Sequence, residues 1–213
     1  MNKYKKIVSI AATAVMCVAP MSVYAQEAQT DVIEAVAEKK QDTESSSVPV
    51  LQKEGIEISE GTGYDLSKEP GAATVKALEQ GTIVISYKTT SENAIQSLLS
   101  VGNGTKGNQD RHFHLYITNA GGVGMELRNT DGEFKYTLDC PAAVRGSYKG
   151  GRVSNTVALK ADKENKQYKL FANGELIATL DQEAFKFISD ITGVDNVMLG
   201  GTMRQGTVAY PFG

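Results

Sequence analysis

The chain contains no tryptophan, and it has only two cysteines and two histidines among its 213 residues. Without tryptophan, a folded core must be filled with valine, isoleucine, leucine, phenylalanine and tyrosine. Cys17 lies in an apolar run near the N-terminus, which leaves Cys140 for the rest of the chain. A lone cysteine forms no internal disulfide and makes a structural zinc site a poor hypothesis. We interpret Cys140 as a small semi-buried residue, and we predict neither a metal nor a cofactor.

The N-terminus has the features of an export signal. Met1–Lys6 carries three lysines, the run Ile7–Val23 is largely apolar, and small residues precede a cleavage position after Ala25. A membrane anchor is the weaker interpretation, because the apolar run is short and contains Pro20. We therefore expect residues 1–25 to be removed and the mature protein to be secreted or displayed at the cell surface.

The charge of the mature chain argues against two classes of partner. Removal of residues 1–25 takes away three basic residues and no acidic ones. It leaves 19 of the 22 basic residues against 25 acidic ones, so the formal net charge changes from −3 to −6. A mildly acidic domain is a poor candidate for binding nucleic acid or an anionic membrane. No other stretch resembles a transmembrane segment.

The pattern of the remaining chain predicts a single β-rich domain. Residues 26–48 are acidic and polar, lack aromatics, and are interpreted as a disordered linker. Residues 49–213 contain nine or ten short strands and little helix, which indicates an antiparallel β-sandwich. Strands are predicted at Val50–Ser59, Thr82–Lys88, Ile95–Val101, Phe134–Leu138, Val153–Ala161, Lys166–Ala172, Glu175–Leu180 and Asn196–Leu199, with short helices at Pro70–Gln80 and Gln182–Ile191.

The most informative stretch is Asp110–Asn129, which reads as two alternating strands joined by a loop of small residues. One side of the alternation is apolar throughout: Phe113, Leu115, Ile117, Val123, Met125 and Leu127. If these side chains share one core, Tyr116, Glu126 and Arg128 stand together on the outer face. A phenol, a carboxylate and a guanidinium on a rigid sheet are suited to a binding surface.

The same alternation restricts the turns. Because the apolar residues are odd-numbered in both strands, the connecting loop must be odd in length or bulged. We predict that Asn119 pairs with Val123, which places Tyr116 opposite Glu126. Further along, the pair Asn173-Gly174 between two alternating runs predicts a tight hairpin.

Four contiguous runs carry a resemblance to a known family: Gly71–Ile117, Gly121–Thr130, Lys166–Leu180 and Asp190–Gly206. Together they resemble the N-terminal sialic-acid-binding modules of bacterial sialidases, the family 40 carbohydrate-binding modules. The likeness covers roughly Val50–Gly213 and is nearest to the modules of intramolecular trans-sialidases from gut commensals. It implies a concanavalin-like or laminin G-like jelly roll of two antiparallel sheets, with a shallow sugar site on one face.

The resemblance also implies which residues bind the sugar. Arg128 and Arg204 would hold the sialic acid carboxylate, since a planar guanidinium matches a carboxylate bidentately. Glu126 would accept a hydrogen bond from the sugar's amide or a nearby hydroxyl group. The two tyrosines would contact the ring, and an isoleucine would contact the N-acetyl group. The implied ligand-binding residues are Ile95, Tyr116, Glu126, Arg128, Arg204 and Tyr210.

The resemblance bears on catalysis as well. Sialidase catalysis uses an arginine triad, a tyrosine nucleophile with a glutamate partner, and an acidic general acid. The catalytic propellers also carry Asp-box turns with tryptophan and an Arg-Ile-Pro motif, and this chain has neither. We therefore predict that this chain is not itself an enzyme. Family members continue with a closing strand and a six-bladed catalytic propeller, so the module is expected to lack its last strand and to leave an unpaired sheet edge.

Simpler interpretations of the site residues remain open. Arg128 could pair with Glu126 on its own strand, and Arg204 could be a solvated loop residue. Tyr210 could be an edge-strand aromatic, and Ile95 a core residue.

The two histidines raise the alternative of a metal site. Asp110, His112 and His114 share the face of Tyr116 and could hold a transition metal, although such pairs are common on solvated sheet faces.

The function predicted from the resemblance is recognition of terminal sialic acid on mucin-type and other sialylated glycans, which targets a sialidase propeller to its substrate. One alternative is that the chain is the start of an exo-α-sialidase or an intramolecular trans-sialidase whose activity lies beyond Gly213. A second alternative is a laminin G-like spacer that binds no sugar.

Overall fold

The computed structural model describes residues 51–59, 61–89, 95–104, 111–129, 133–141 and 154–212, together with the backbone of Val15–Cys17. Two short helical segments occur there, the α-helix α1 (Ala72–Lys76) and a 3-10 turn at Ile188–Asp190. The strands are β1 (Val15–Cys17), β2 (Tyr64–Asp65), β3 (Gly81–Tyr87), β4 (Gln96–Gly102), β5 (His112–Ile117), β6 (Val123–Asn129), β7 (Phe134–Asp139), β8 (Asn155–Asp162), β9 (Gln167–Ala172), β10 (Glu175–Asp181), β11 (Asn196–Leu199), β12 (Thr202–Arg204) and β13 (Thr207–Ala209).

Two large antiparallel sheets form a sandwich. One sheet has the strand order β2-β11-β4-β5-β6-β7, and the other has the order β1-β3-β8-β9-β10. Strands β12 and β13 form a separate hairpin. Strand β1 comes from the predicted export signal and pairs with the outer edge of β3. The architecture confirms the predicted all-β sandwich and agrees with the jelly roll that the resemblance implies.

The hydrophobic core lies between the two sheets and follows the alternation in the sequence. The odd-numbered apolar residues of β5 and β6 are fully buried, as predicted. Cys140 is buried with a free thiol. The largest fully buried side chains are aromatic, namely Tyr87, Tyr168, Phe113, Phe187 and Phe212. Among the described residues, no helix is long and apolar enough to cross a membrane.

Some predicted elements are wrong or too long. Residues 51–59 form no strand, although Leu51, Ile56 and Ile58 are buried, so their apolar spacing reflects an irregular segment that covers the core. The helix predicted at Pro70–Gln80 is only α1, since Gly71 at its N-cap has φ of 90° and provides no side-chain cap. The helix predicted at Gln182–Ile191 is only the 3-10 turn.

The β5–β6 hairpin has a longer loop than predicted. Its loop is odd in length, as the alternation required, but it spans residues 118–122, so Ile117 pairs with Val123. The Thr118 backbone N–H donates to the Gly122 carbonyl at 2.8 Å, and the Gly122 N–H donates to Thr118 Oγ1 at 2.9 Å, which closes the loop two residues earlier. A shift of two residues keeps both apolar sides in the core.

The predicted pairing of Asn119 with Val123, and of Tyr116 with Glu126, is therefore wrong. Tyr116 lies opposite Gly124. The Asn173-Gly174 hairpin is confirmed, because both residues adopt positive φ, 50° and 87°, between β9 and β10.

Candidate functional site

The outer face of the six-stranded sheet carries a set of polar side chains where β5 and β6 meet. Because alternate residues of a strand point to opposite faces, His114 and Tyr116 of β5 lie outside with Glu126 and Arg128 of β6. The predicted outer placement of these residues is confirmed. His114 is nevertheless only 5 % exposed, because the β12–β13 hairpin and Tyr210 cover this part of the face.

The β12–β13 hairpin provides that cover. It packs on the outer side of β4, where every residue of the strand is buried. Ser97 Oγ and Ser100 Oγ both donate to the Gly201 carbonyl, at 3.1 and 2.9 Å. Thr202 Oγ1 lies 3.3 Å from both Ser97 Oγ and His114 Nε2. These bonds tie the hairpin to the sheet.

Arg204, at the end of β12, and Tyr210, directly after β13, lie over the outer face of the six-stranded sheet. Tyr210 has φ of 50°, and its carbonyl accepts a hydrogen bond from the Ser97 N–H at 2.9 Å. Its ring stacks on His114 with the two centroids 5.9 Å apart. The Arg204 guanidinium lies 4.6 Å from the Tyr210 ring centroid, and its Nη1 donates to the Tyr210 hydroxyl oxygen at 3.1 Å. Arg204 is therefore packed against the Tyr210 ring.

A cavity of about 260 Å³ opens between these elements. The structure brings together all six residues that the resemblance named, and one that it did not name. The lining residues are Ile95, His114, Tyr116, Glu126, Arg128, Arg204 and Tyr210. His114 is the added residue. The alternation of the strand places His114 on the same face as Tyr116, which was the available signal in the sequence. A histidine on a sheet face was instead interpreted as solvent-exposed or as a metal ligand.

Glu126 is held as a carboxylate by its neighbours. Its Oε1 lies 3.0 Å from His112 Nε2 and 3.3 Å from Arg128 Nη1, and its Oε2 lies 3.6 Å from Lys135 Nζ. Burial raises the pKa of Glu126, but the hydrogen bond from His112 and the Arg128 charge outweigh it and bring the pKa to about 2. The predicted Arg128–Glu126 pair on one strand therefore exists within the cavity.

The two aromatic neighbours of the carboxylate stay in their neutral forms. Burial, aided by the positive potential of His112, lowers the pKa of His114 to about 3. Burial also raises the pKa of Tyr116 above its usual value, and the carboxylate of Asp139 adds to the effect. Tyr116 donates its hydroxyl proton to Asp139 Oδ1 at 3.0 Å. Asp139 was not singled out in the sequence, although it lies on the outer side of β7.

Two guanidinium groups, those of Arg128 and Arg204, line the cavity and point to an anionic ligand. A carboxylate is the acceptor that a guanidinium binds best. With both groups in one cavity, the site can hold a small ligand that carries a carboxylate together with hydroxyl or amide groups.

A metal has no comparable set of ligands. In the part of the chain that the structure describes, no group of three histidine, cysteine, aspartate or glutamate residues could hold an ion. His112 and His114 are instead engaged with Glu126 and Thr202. Asp110, the third residue of the alternative metal site, lies outside the described residues.

Several known proteins are similar to this chain. The leech Macrobdella decora has an anhydrosialidase that is 65 % identical over 198 residues, which cover 90 % of this chain and 26 % of that protein. Sialidase B of Streptococcus pneumoniae is 30 % identical over 132 residues, which cover 62 % of this chain and 19 % of that protein. The chain thus spans about a quarter or less of the length of these relatives.

Solved structures are also similar to this chain. The CBM40 of the Ruminococcus gnavus IT-sialidase, bound to α2,6 sialyllactose, is 99 % identical with a TM-score of 0.72, over 77 % of this chain and 87 % of that one. The leech intramolecular trans-sialidase, complexed with 2,7-anhydro-Neu5Ac, is 71 % identical with the same TM-score, over 77 % of this chain and 24 % of that one. Residues 49–213 match the family model of the sialidase N-terminal domain. The chain belongs to the sialidase N-terminal domain family.

Proposed function

We propose that this chain is a carbohydrate-binding module that recognises terminal sialic acid on sialylated glycans and serves as the binding part of a sialidase. Three lines of support agree. The family is that of sialidase N-terminal domains. The similar Ruminococcus gnavus module has been solved with α2,6 and α2,3 sialyllactose. The cavity also contains the residue types that a carboxylated sugar needs.

The observation that carries the proposal is the presence of both Arg128 and Arg204 in one cavity wall. Sialic acid differs from neutral sugars by its carboxylate, and guanidinium groups are the donors that fit a carboxylate best. Glu126, fixed as a carboxylate, would accept from an amide or hydroxyl group of the sugar, and Ile95 would contact its N-acetyl methyl group.

The site is small and open to one side, which bears on affinity. We expect a single sialic acid to bind with a Kd on the order of 0.1–1 mM, because few contacts must offset the loss of translational and rotational freedom. Clustered glycans such as mucins would raise retention through avidity. In this proposal the mature chain, released from an export signal at residues 1–25, acts outside the cell and holds a catalytic sialidase domain near its substrate without catalysing a reaction itself.

Titration of the protein with α2,3- and α2,6-sialyllactose, followed by NMR, tests the proposal. Arg128→Ala and Arg204→Ala should each weaken binding at least ten-fold, since hydrogen bonds to charged groups contribute about 1.5–3 kcal/mol. Arg128→Lys should also weaken binding, because an ammonium cannot form the bidentate pair.

Lys163→Ala provides the matched control, since it removes an exposed cation that pairs with Glu79 outside the cavity. It should bind like the wild type. Lactose, which lacks the acidic sugar, should not bind. If the wild type does not bind sialyllactose, the chain is a spacer and the lectin assignment is wrong. If the wild type binds and neither arginine variant alters binding, this cavity is not the sugar site.

A further inference from the structure

Three side chains lie next to one another across the outer face of β5, β6 and β7. Tyr116 of β5 is opposite Gly124 of β6, and Gly124 is in turn opposite Asp139 of β7. The Tyr116 hydroxyl crosses the intervening strand and donates to Asp139 Oδ1 at 3.0 Å. The hydrogen bond therefore joins residues two strands apart.

Gly124 makes this crossing possible. A Cβ atom at position 124 would lie 3.1 Å from Tyr116 Cζ and would clash with the Asp139 carboxylate. The backbone of Gly124 does not have positive φ, so glycine is not needed there for its conformational freedom. The missing side chain provides the space in which the phenol ring lies over the strand.

The bond to Asp139 determines what Tyr116 can offer a ligand. A phenol carries one proton to donate, and a carboxylate oxygen can only accept. When that proton is engaged in the hydrogen bond to Asp139, the Tyr116 oxygen has only its lone pairs left to offer the cavity. Tyr210 has the opposite arrangement, since its oxygen accepts from Arg204 Nη1 and its proton remains available.

We propose that Asp139, with Gly124, positions Tyr116 as a hydrogen-bond acceptor toward the cavity. Tyr116 and Glu126 are then the acceptors, which select N–H and O–H groups of the ligand. The two arginines and the Tyr210 hydroxyl are the donors, which select its carboxylate. This inference rests on the proposed function, because it assigns polarity within the same sugar site. A phenol is protonated at neutral pH, and burial raises the pKa of Tyr116 further.

The role of Asp139 can be separated from that of a simple surface charge. As an anion near an anionic ligand, Asp139 should oppose binding through space, so its removal would leave affinity unchanged or raise it. As the residue that orients Tyr116, its removal should lower affinity. The two interpretations therefore predict effects of opposite sign.

The test measures sialyllactose affinity by NMR titration, with the thermal midpoint of each variant recorded alongside. Asp139→Ala should weaken binding about five-fold, the size expected for loss of one oriented hydrogen bond. Asp139→Asn should bind within two-fold of the wild type, because the asparagine oxygen can still accept the phenol proton. Gly124→Ala, which displaces the Asp139 carboxylate, should weaken binding as Asp139→Ala does.

A double-mutant cycle with Tyr116→Phe shows whether Asp139 acts through Tyr116. With the phenol removed, Asp139→Ala should cause no further loss of affinity. Glu175→Ala, which removes an exposed carboxylate at the start of β10 in the other sheet, is the control and should bind like the wild type.

Three results would overturn the inference: equal or tighter binding by Asp139→Ala, an equally large loss in the Tyr116→Phe background, or an Asp139→Asn variant as weak as the alanine variant. Wild-type binding that is lost in Arg128→Ala but kept in Asp139→Ala overturns this inference alone. Absence of sialyllactose binding by the wild type overturns the proposed function instead.

Discussion

At the scale of single residues, Tyr210 shows how the site depends on an unfavourable local conformation. Its φ of 50° lies in the left-handed region that non-glycine residues rarely adopt. The Ser97 N–H bond to its carbonyl and the stacking of its ring on His114 hold it there. Such strain is tolerated where surrounding contacts over-determine the backbone, as they do at this cavity.

This strain leads to a prediction about two substitutions. Tyr210→Gly and Tyr210→Ala remove the same ring, but only glycine adopts positive φ at no steric cost. The glycine variant should therefore be more stable than the alanine variant by about 1 kcal/mol, measured by urea unfolding. Neither variant should retain wild-type affinity for sialyllactose. An alanine variant as stable as the glycine variant would show that Tyr210 is not strained.

Residue roles could be predicted from the sequence only where a pattern or a resemblance named them. Alternation placed Tyr116, Glu126 and Arg128 on one face, and the resemblance added Ile95, Arg204 and Tyr210. Asp139 was not named and His114 was considered only as a metal ligand, because their contribution depends on contacts across strands. His114 bonds to Thr202, 88 positions later in the chain, and Asp139 bonds to Tyr116 across a glycine.

At the scale of elements, the β12–β13 hairpin decides whether a site exists. Its residues alone show little periodicity, and Arg204 reads as a loop arginine in the sequence. The hairpin is held by hydrogen bonds that Ser97 and Ser100 donate to it and by the bond between Thr202 and His114. Because the two serines are buried, their bonds to the Gly201 carbonyl have no competition from solvent.

The hairpin anchor can be tested by removing both hydroxyls. Ser97→Ala with Ser100→Ala leaves the Gly201 carbonyl without these donors, which should loosen the hairpin and lower sialyllactose affinity about five-fold or more. Hydrogen exchange should become faster at the β12–β13 amides and stay unchanged in β8 and β9.

Ser86→Ala provides the control for the hairpin, because Ser86 Oγ bonds to Thr156 Oγ1 in the opposite sheet. It should not alter sugar binding. A double serine variant that binds like the wild type, with unaltered exchange, would contradict the anchoring role.

At the scale of the whole molecule, the buried groups of the site lower the stability of the folded protein at acidic pH. His114 is buried, and burial with the nearby His112 lowers its pKa from 6.5 to about 3. Between these values the unfolded chain binds a proton at His114 that the folded chain does not, so stability must rise with pH in this range. Glu126, with its pKa lowered from 4.5 to about 2, adds a similar dependence at lower pH.

The window from pH 4.5 to 6.5 lies between the ordinary pKa values of Glu126 and His114, so the His114 contribution is present there. There, its contribution to the free energy of unfolding should fall by up to about 1.4 kcal/mol for each pH unit of acidification. His114→Gln, whose amide can still bond to Thr202 but does not titrate, should show a shallower loss than the wild type. Urea unfolding at several pH values measures the two slopes. Equal slopes would show that His114 is protonated as readily in the folded protein as in the unfolded chain.

The sequence by itself determined the sandwich, the core face of each central strand and the odd length of the β5–β6 loop, because a two-residue period is a local property of the chain. It could not determine the register, since loop hydrogen bonds at Thr118 moved the pairing by two residues and set Tyr116 beside Gly124. Only the tertiary structure decided that a hairpin distant in the chain closes over β4 and buries His114. That hairpin brings Arg204 to Arg128 through long-range hydrogen bonds that leave no periodic trace in the sequence.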